Sequence, residues 1–244
     1  MFKTPPPLSL YVHLPWCVQK CPYCDFNSHP KRGDIPEQEY ADALIRDLEQ
    51  DLPRVWGRQL ESVFLGGGTP SLFSAETIAR LLSEIRARIP IKPGAEITLE
   101  ANPGTVEAGR FAGFRRAGVN RLSIGIQSFN DEHLKTLGRI HDSEAAAKAI
   151  EEARNAGFDN LNIDLMFGLP GQALEQALAD IDRAITFEPE HISLYQLTIE
   201  PNTAFGATPP TLPGEDAIWD MQKALQKRLA SAGYEQYEVS AYAR

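Results

Sequence analysis

The chain of 244 residues holds three cysteines, and all fall in one run, Cys17-Val18-Gln19-Lys20-Cys21-Pro22-Tyr23-Cys24. A disulfide-stapled secreted domain needs paired cysteines at dispersed positions, so these thiols have a local task. Three thiolates in one short loop can wrap a single inorganic cluster. A [4Fe-4S] cubane held by three cysteines leaves one iron for a ligand of another kind, and that open iron is where chemistry can start. Zinc completed by His13 or His29 is the rival chemistry, and inert buried cysteines are the plainest alternative. A second loop, Gly66-Gly67-Gly68-Thr69-Pro70, carries consecutive glycines, which let backbone approach a ligand where a side chain would block it. No Lys-Ser/Thr pair accompanies them, which excludes a phosphate-binding P-loop.

Both loops follow apolar-polar alternations that predict strands. Strand candidates are 9–14, 62–66, 96–101, 121–127, 160–166 and 191–198, and helical patterns lie at 37–52, 75–89, 106–117, 143–156 and 174–187. Gly118 and Gly157 stand where helix C-terminal caps are needed. This order, six β/α units in succession, predicts an α/β fold with parallel strands, a full or partial (β/α) barrel whose chemistry sits at the C-terminal strand ends. One strand face is apolar, as in Leu122/Ile124/Ile126 and Leu161/Ile163/Leu165. The other is polar or small: Ser9/Tyr11/His13, Glu96/Thr98/Glu100, Arg121/Ser123/Gly125/Gln127 and Asn160/Asn162/Asp164. Polar groups at that density need partners, so the lumen is expected to be polar and ligand-filled. An antiparallel sheet with one wet face shares the alternation, but the intervening helices argue against it. A helix at 215–232 precedes 234–240, which reads as a seventh strand, and 201–214, holding Pro201, Pro209, Pro210 and Pro213, reads as an irregular loop. His133 and His141 are expected at the surface, while His13 falls on the lumen face.

The net charge of −9 and the lack of a basic run interleaved with aromatics disfavour nucleic-acid binding. No stretch has the roughly 18 uninterrupted apolar residues of a spanning helix. The start, Met1-Phe2-Lys3-Thr4-Pro5-Pro6-Pro7, lacks the apolar centre of a signal peptide. A cytoplasmic protein is the corresponding expectation.

The C-x3-C-x2-C spacing after a first strand, with the glycine loop after the second, resembles the radical S-adenosylmethionine (SAM) superfamily. That resemblance implies a partial (β/α)6 TIM-type barrel, with Cys17, Cys21 and Cys24 on a [4Fe-4S] cluster and SAM chelating its open iron. Four segments are similar to the oxygen-independent coproporphyrinogen III oxidase-like family: 11–17, Gly66 to Ser71, Gly125-Ile126-Gln127-Ser128-Phe129, and Asn162 through Gly171. Carried over residue by residue, Tyr11, Gly67 and Glu100 match contacts to the cluster-bound SAM. Tyr23, Gly68, Thr69, Gln127, Arg139, Asp164 and Thr198 match positions around a second SAM. Read without the resemblance, Arg139 is a solvated charge as readily as a carboxylate anchor, and Glu100 and Asp164 are partners in a polar lumen as readily as ligand contacts.

Within the family, the oxidases resemble C-x3-C-x2-C-x-C, whereas Phe26 stands here where the fourth cysteine falls. That departure, with the short segment ahead of Tyr11, is similar to the HemW-type haem chaperones and argues against oxidase activity. The implied partners are haem or porphyrin, an electron donor and a haem-acceptor protein, the last two unidentified. The resemblance divides the chain into a radical SAM core at 1–200 and the start of a C-terminal extension at 201–244. It predicts truncation before the family's C-terminal region, where a haem-associated His-Asn-x-x-Tyr-Trp motif lies in the longer proteins.

Overall fold

Leu65, Leu99, Leu122, Ile124, Ile163, Leu165 and Ile192 are buried on one face of neighbouring strands, and a layer of helices covers that face. The computed structural model describes residues 5–104 and 109–244. The strands are β1 (Leu8–Leu14), the short pair β2 (Trp16–Cys17) and β3 (His29–Pro30), then β4 (Leu60–Gly67), β5 (Ile91–Ala101), β6 (Arg121–Gln127), β7 (Leu161–Phe167), β8 (His191–Gln196), β9 (Glu235–Gln236) and β10 (Ala241–Ala243). The helices are α1 (Glu37–Asp51), α2 (Ala75–Arg88), α3 (Phe111–Ala117), α4 (Asp131–Thr136), α5 (Ser143–Asn155), α6 (Leu174–Thr186), α7 (Ala204–Ala207) and α8 (Glu215–Ser231).

The main sheet runs β1-β4-β5-β6-β7-β8-β10-β9, and each pairing from β1 to β8 is parallel. This is the expected partial barrel of six β/α units, with every crossover turning from a strand's C-terminal end into a covering helix. The helices expose their polar sides and bury Ile78, Leu82 and Ile85 from α2, Ile150 from α5 and Ile181 from α6. Each such side chain contributes about 1.5–3 kcal/mol through burial. Met221, Leu225 and Leu229 of α8 join the same core, as do Tyr234 and Tyr242.

Two expectations change. The segment 234–240 does not make a seventh parallel strand: β9 and β10 form a short hairpin, with β10 antiparallel to β8. No crossover lies between β9 and β10, and a parallel pairing requires one. The expected helix at 106–117 is observed from Phe111, and 105–108 lie outside the described residues, as do 1–4 at the start. The irregular loop at 201–214 contains the one-turn helix α7.

One buried group ties the covering layer to the site. Asp180 of α6, 4% exposed, accepts hydrogen bonds from Ser128 Oγ and from the Phe129 backbone N–H, both at 2.7 Å, just beyond the end of β6. Burial raises its pKa, and those two hydrogen bonds oppose the rise. Asp180→Ala leaves both donors unpaired, so a loss of about 2–4 kcal/mol is expected in urea unfolding. A loss below about 0.5 kcal/mol, the scale of an ordinary surface substitution, would show that water replaces the carboxylate and that the tie is dispensable.

Candidate functional site

The cysteine loop leaves β1 through Pro15 and β2, and short bonds shape it before any ligand is considered. Cys24 N–H donates to Cys21 O at 3.1 Å, closing a turn, and Lys31 N–H donates to Cys17 O at 2.8 Å. Lys20 Nζ donates to the carbonyls of Phe26 and Ser28, at 2.9 and 3.2 Å, drawing the loop's return limb inward. Gln19 Nε2 reaches Gly138 O at 3.5 Å, and a Cβ on Gly138 would stand 2.8 Å from the Pro22 ring. Glycine at 138 therefore lets the cysteine loop close on the end of α4. Cys17 is buried while Cys21 and Cys24 are half-buried. Burial pushes the Cys17 thiol up, against hydrogen bonds from Thr69 and Ser28.

The glycine loop has a use beyond ligand access. A Cβ on Gly66 would stand 2.8 Å from the Phe64 ring and 3.0 Å from Glu100 Oε2, one on Gly67 would stand 2.7 Å from the His13 ring, and one on Gly68 would stand 2.7 Å from backbone atoms of Pro15 and Trp16. These positions must lack a side chain for the ends of β1, β4 and β5 to meet. Gly67, at φ +120, also turns its N–H onto Glu100 Oε2 at 3.0 Å.

Below this rim lies the polar lumen. Ser123 Oγ donates to Asp164 Oδ2 at 3.1 Å, Asn162 Nδ2 donates to Asp164 Oδ1 at 2.8 Å and to Ser123 Oγ at 2.9 Å, and Ser193 Oγ donates to Asn162 Oδ1 at 3.1 Å. Arg121, 8% exposed, completes the layer beside Thr98 and Glu96. Burial, then the nearby Asp164, pushes Glu100 up to about 7, and burial pushes Asp164 up to about 6 against its hydrogen bonds and Arg121. The expected lumen side chains thus satisfy one another around two carboxylates that ionise reluctantly.

Gln127 ends β6 at φ +71, in the left-handed region. The β6–β7 pairing slips by one residue between Gly125 and Gln127, and this bulge turns Gln127 toward the cavity. Gly138, at φ +66, closes α4, and Arg139 follows with its N–H on Leu134 O at 2.9 Å. The Arg139 guanidinium donates through Nη2 to Gly125 O at 2.7 Å and to Asn102 Oδ1, and through Nη1 to Cys21 Sγ at 3.5 Å, while its buried Nε has no hydrogen-bond partner among the described residues. It is therefore not a solvated surface charge. Burial pushes the Tyr23 phenol up, with Arg139 opposing.

One cavity of about 570 Å³ is lined by Cys17, Cys21, Cys24, Tyr23, Gly67, Gly68, Thr69, Glu100, Gln127, Arg139, Asp164 and Thr198. Of the residues matched to cluster or SAM positions, Tyr11 alone stands apart: it is 56% exposed and stacks on Phe64, which does line the cavity. Asn102, the first residue after β5, was not anticipated; its signal is a polar side chain at the C-terminal end of a barrel strand. His133 and His141 are buried rather than at the surface, at 6% and 8% exposure. His141 Nε2 meets Ile126 O at 3.1 Å, and burial together with Arg139 pushes it down to about 4, so it stays neutral. His13 is engaged through both ring nitrogens, Nδ1 with Tyr11 Oη at 2.9 Å and Nε2 with Asn27 O at 2.8 Å.

The donor set suits a cluster. Zinc draws its ligands to about 2 Å from one ion, yet among the described residues no three His, Cys, Asp or Glu side chains converge closely enough to hold one metal ion. Three separate thiols along one wall of a cavity instead match a group that offers one iron to each. The unpartnered Arg139 Nε and the backbone rim at Gly67 and Gly68 leave polar capacity for a ligand beside it.

Comparisons with known proteins agree with this architecture. The family model of the Radical SAM superfamily matches residues 11–184. The heme chaperone HemW of Escherichia coli is 56% identical over 98% of this chain and 63% of its own length, and that of Haemophilus influenzae is 58% identical over the same shares. The solved coproporphyrinogen III oxidase HemN of Escherichia coli, described as a radical SAM enzyme, superposes with a TM-score of 0.87 at 31% identity, covering 98% of this chain and 56% of that one. The chain thus spans 63% of the length of these curated relatives. With its barrel, its cysteine loop and a family match over most of its length, the chain belongs to the radical SAM superfamily, whose members in general use a [4Fe-4S] cluster and SAM.

Proposed function

We propose that this chain is the radical SAM region of a haem chaperone of the HemW type, acting in haem or porphyrin metabolism. The observation that carries the reading is Phe26, 63% exposed at the cavity edge, in the position where the oxidases resemble a fourth cysteine. Identities of 56% and 58% to proteins named heme chaperone, against 31% to the oxidase, support it. In this reading Cys17, Cys21 and Cys24 hold the cluster, and Gly67 and Glu100 face the SAM bound to it, with Tyr11 set back behind Phe64. Tyr23, Gly68, Thr69, Gln127, Arg139, Asp164 and Thr198 surround a further ligand in the same cavity. When bound, the cluster supplies an electron for reductive cleavage of SAM, and the protein positions the reactants and excludes water.

The side chains support those roles. Glu100 accepts from an amino group or ribose hydroxyl when ionised, and Arg139 offers a guanidinium to a carboxylate. Residues 1–200 form the core in this reading and 201–244 begin an extension toward the haem-handling part. A cytoplasmic location, an electron donor and a haem-acceptor protein belong to the same proposal; among the described residues no helix is long and apolar enough to cross a membrane.

The other reading, an oxygen-independent coproporphyrinogen III oxidase, draws on the superposition with HemN. The two separate under anaerobic, reducing conditions. With cluster reconstituted and SAM added, coproporphyrinogen III is expected to remain unchanged by mass spectrometry. SAM-dependent loss of carbon dioxide from its propionates would replace the chaperone with the oxidase.

A further inference from the structure

Asn102 uses both ends of its amide. Nδ2 donates to Thr69 Oγ1 at 2.9 Å, and Oδ1 accepts from Arg139 Nη2. On the Thr69 side the path reaches the residue before the first cysteine, because Thr69 N–H donates to Trp16 O at 2.7 Å. On the Arg139 side it reaches the second, because Nη1 donates to Cys21 Sγ at 3.5 Å. One amide therefore ties the backbone beside Cys17 to the guanidinium that donates to Cys21.

We infer that Asn102 is a positioning residue that holds the Arg139 guanidinium against the Cys21 sulfur and thereby raises the reduction potential of the cluster carried by that loop. The inference rests on the cluster assignment above. Hydrogen bonds to the sulfurs and nearby charge are among the levers that set such potentials. A cation donating to a ligand sulfur favours the more negative, reduced state. The guanidinium is a rigid plane, so whatever grips one amino group fixes where the other points. Among the described residues Nη2 is held by Asn102 and Gly125 O and Nε has no hydrogen-bond partner, so Asn102 supplies one of the two anchors on Nη2. Gly125 leaves the room this arrangement needs: a Cβ there would stand 3.0 Å from Gln127 Nε2, 3.1 Å from Asn102 Oδ1 and 3.5 Å from Arg139 Nη2.

The test is a redox titration of the reconstituted protein, followed by electron paramagnetic resonance with and without SAM, on wild type, Asn102→Leu and Gly125→Ala. Asn102→Leu removes the anchor, while Gly125→Ala keeps every polar atom and crowds the Asn102 amide, together with that of Gln127, away from its place. Both midpoints are expected to fall with iron content per chain unchanged. For Asn102→Leu the reduced-to-oxidised ratio at a fixed potential should drop about tenfold, which is about 59 mV for a one-electron couple. Should Asn102→Leu lose its cluster, the lowered midpoint of Gly125→Ala still supports the inference, and an unchanged one refutes it. A clustered wild type whose potential neither variant moves overturns the role of Asn102 and leaves the cluster reading standing. Wild type without a cluster overturns both.

Discussion

Glu100→Gln is expected to stabilise the ligand-free protein at pH 8 while weakening its hold on SAM. Burial and Asp164 raise the Glu100 carboxyl from 4.5 to about 7. The folded state therefore binds this proton more tightly than the unfolded chain does, and stability falls as pH rises between those two values. Above pH 7 the whole penalty is present, up to roughly 3 kcal/mol at about 1.4 kcal/mol for each tenfold change in proton affinity. Asp164, raised from 3.8 to about 6, adds a similar penalty lower on the pH scale. Glutamine keeps an oxygen for the Gly67 N–H and carries no charge. A melting temperature about 4–8 °C above wild type is expected at pH 8, shrinking to nothing near pH 4.5, if about 2 kcal/mol is recovered. Calorimetry of SAM binding should show the opposite sign, about tenfold or more weaker, since a charged acceptor is lost. Parallel stability curves for variant and wild type across pH 4.5–8 would refute the buried charge as the cause.

That trade-off marks the site as the place where this chain departs from rules its other parts obey. Gln127 holds a positive φ, Arg139 carries an Nε without a partner among the described residues, and two carboxylates whose pKa values are raised line one cavity. Such costs persist where the surrounding barrel over-determines the geometry. Here the hydrogen-bonded layer of Ser123, Asn162 and Ser193 fixes Asp164, and Gly67 fixes Glu100.

The barrel was legible because its lumen is polar. Period-two alternation along β5, β6 and β7 separated the apolar face under the helices from the polar face toward the cavity, which a dry sheet buried on both sides does not do. The cysteine spacing was legible for a related reason, since one short loop carries all three thiols and no long-range contact is needed to see them together. Arg139 was another matter. It follows α4, six residues long, too short for a periodic pattern, and its contacts to Asn102, Gly125 and Cys21 bridge distant segments. The bulge beside Gln127 has no marker in composition. His133 and His141 looked like surface residues because a polar type in a helix or loop does not report what folds over it. The hairpin at β9 and β10 escaped for the same reason: its residues suit a strand, and only the sheet edge decides which way that strand runs.

If the three thiols hold the proposed cluster, replacing any one of Cys17, Cys21 or Cys24 by alanine is expected to cut the iron and sulfide retained after anaerobic reconstitution by roughly tenfold or more, because in that arrangement each thiol serves a different iron. The change should be local. Cys21 and Cys24 are half-buried, and each sulfur has one weak hydrogen bond, from Arg139 and with Ser28, so their alanine variants should unfold within about 1 kcal/mol of the ligand-free wild type. His29→Ala separates this chemistry from zinc. His29 is exposed at β3, with its backbone N–H on Pro15 O at 2.8 Å, and His13 already uses both ring nitrogens. In a zinc site completed by His29, its loss would strip the metal as surely as loss of a cysteine. In a three-cysteine cluster the His29→Ala protein stays brown, keeps wild-type iron, and gives a reduced paramagnetic signal that still changes when SAM is added. Colourless wild-type protein holding one tight zinc per chain would end the cluster reading, and with it every role assigned to the open iron.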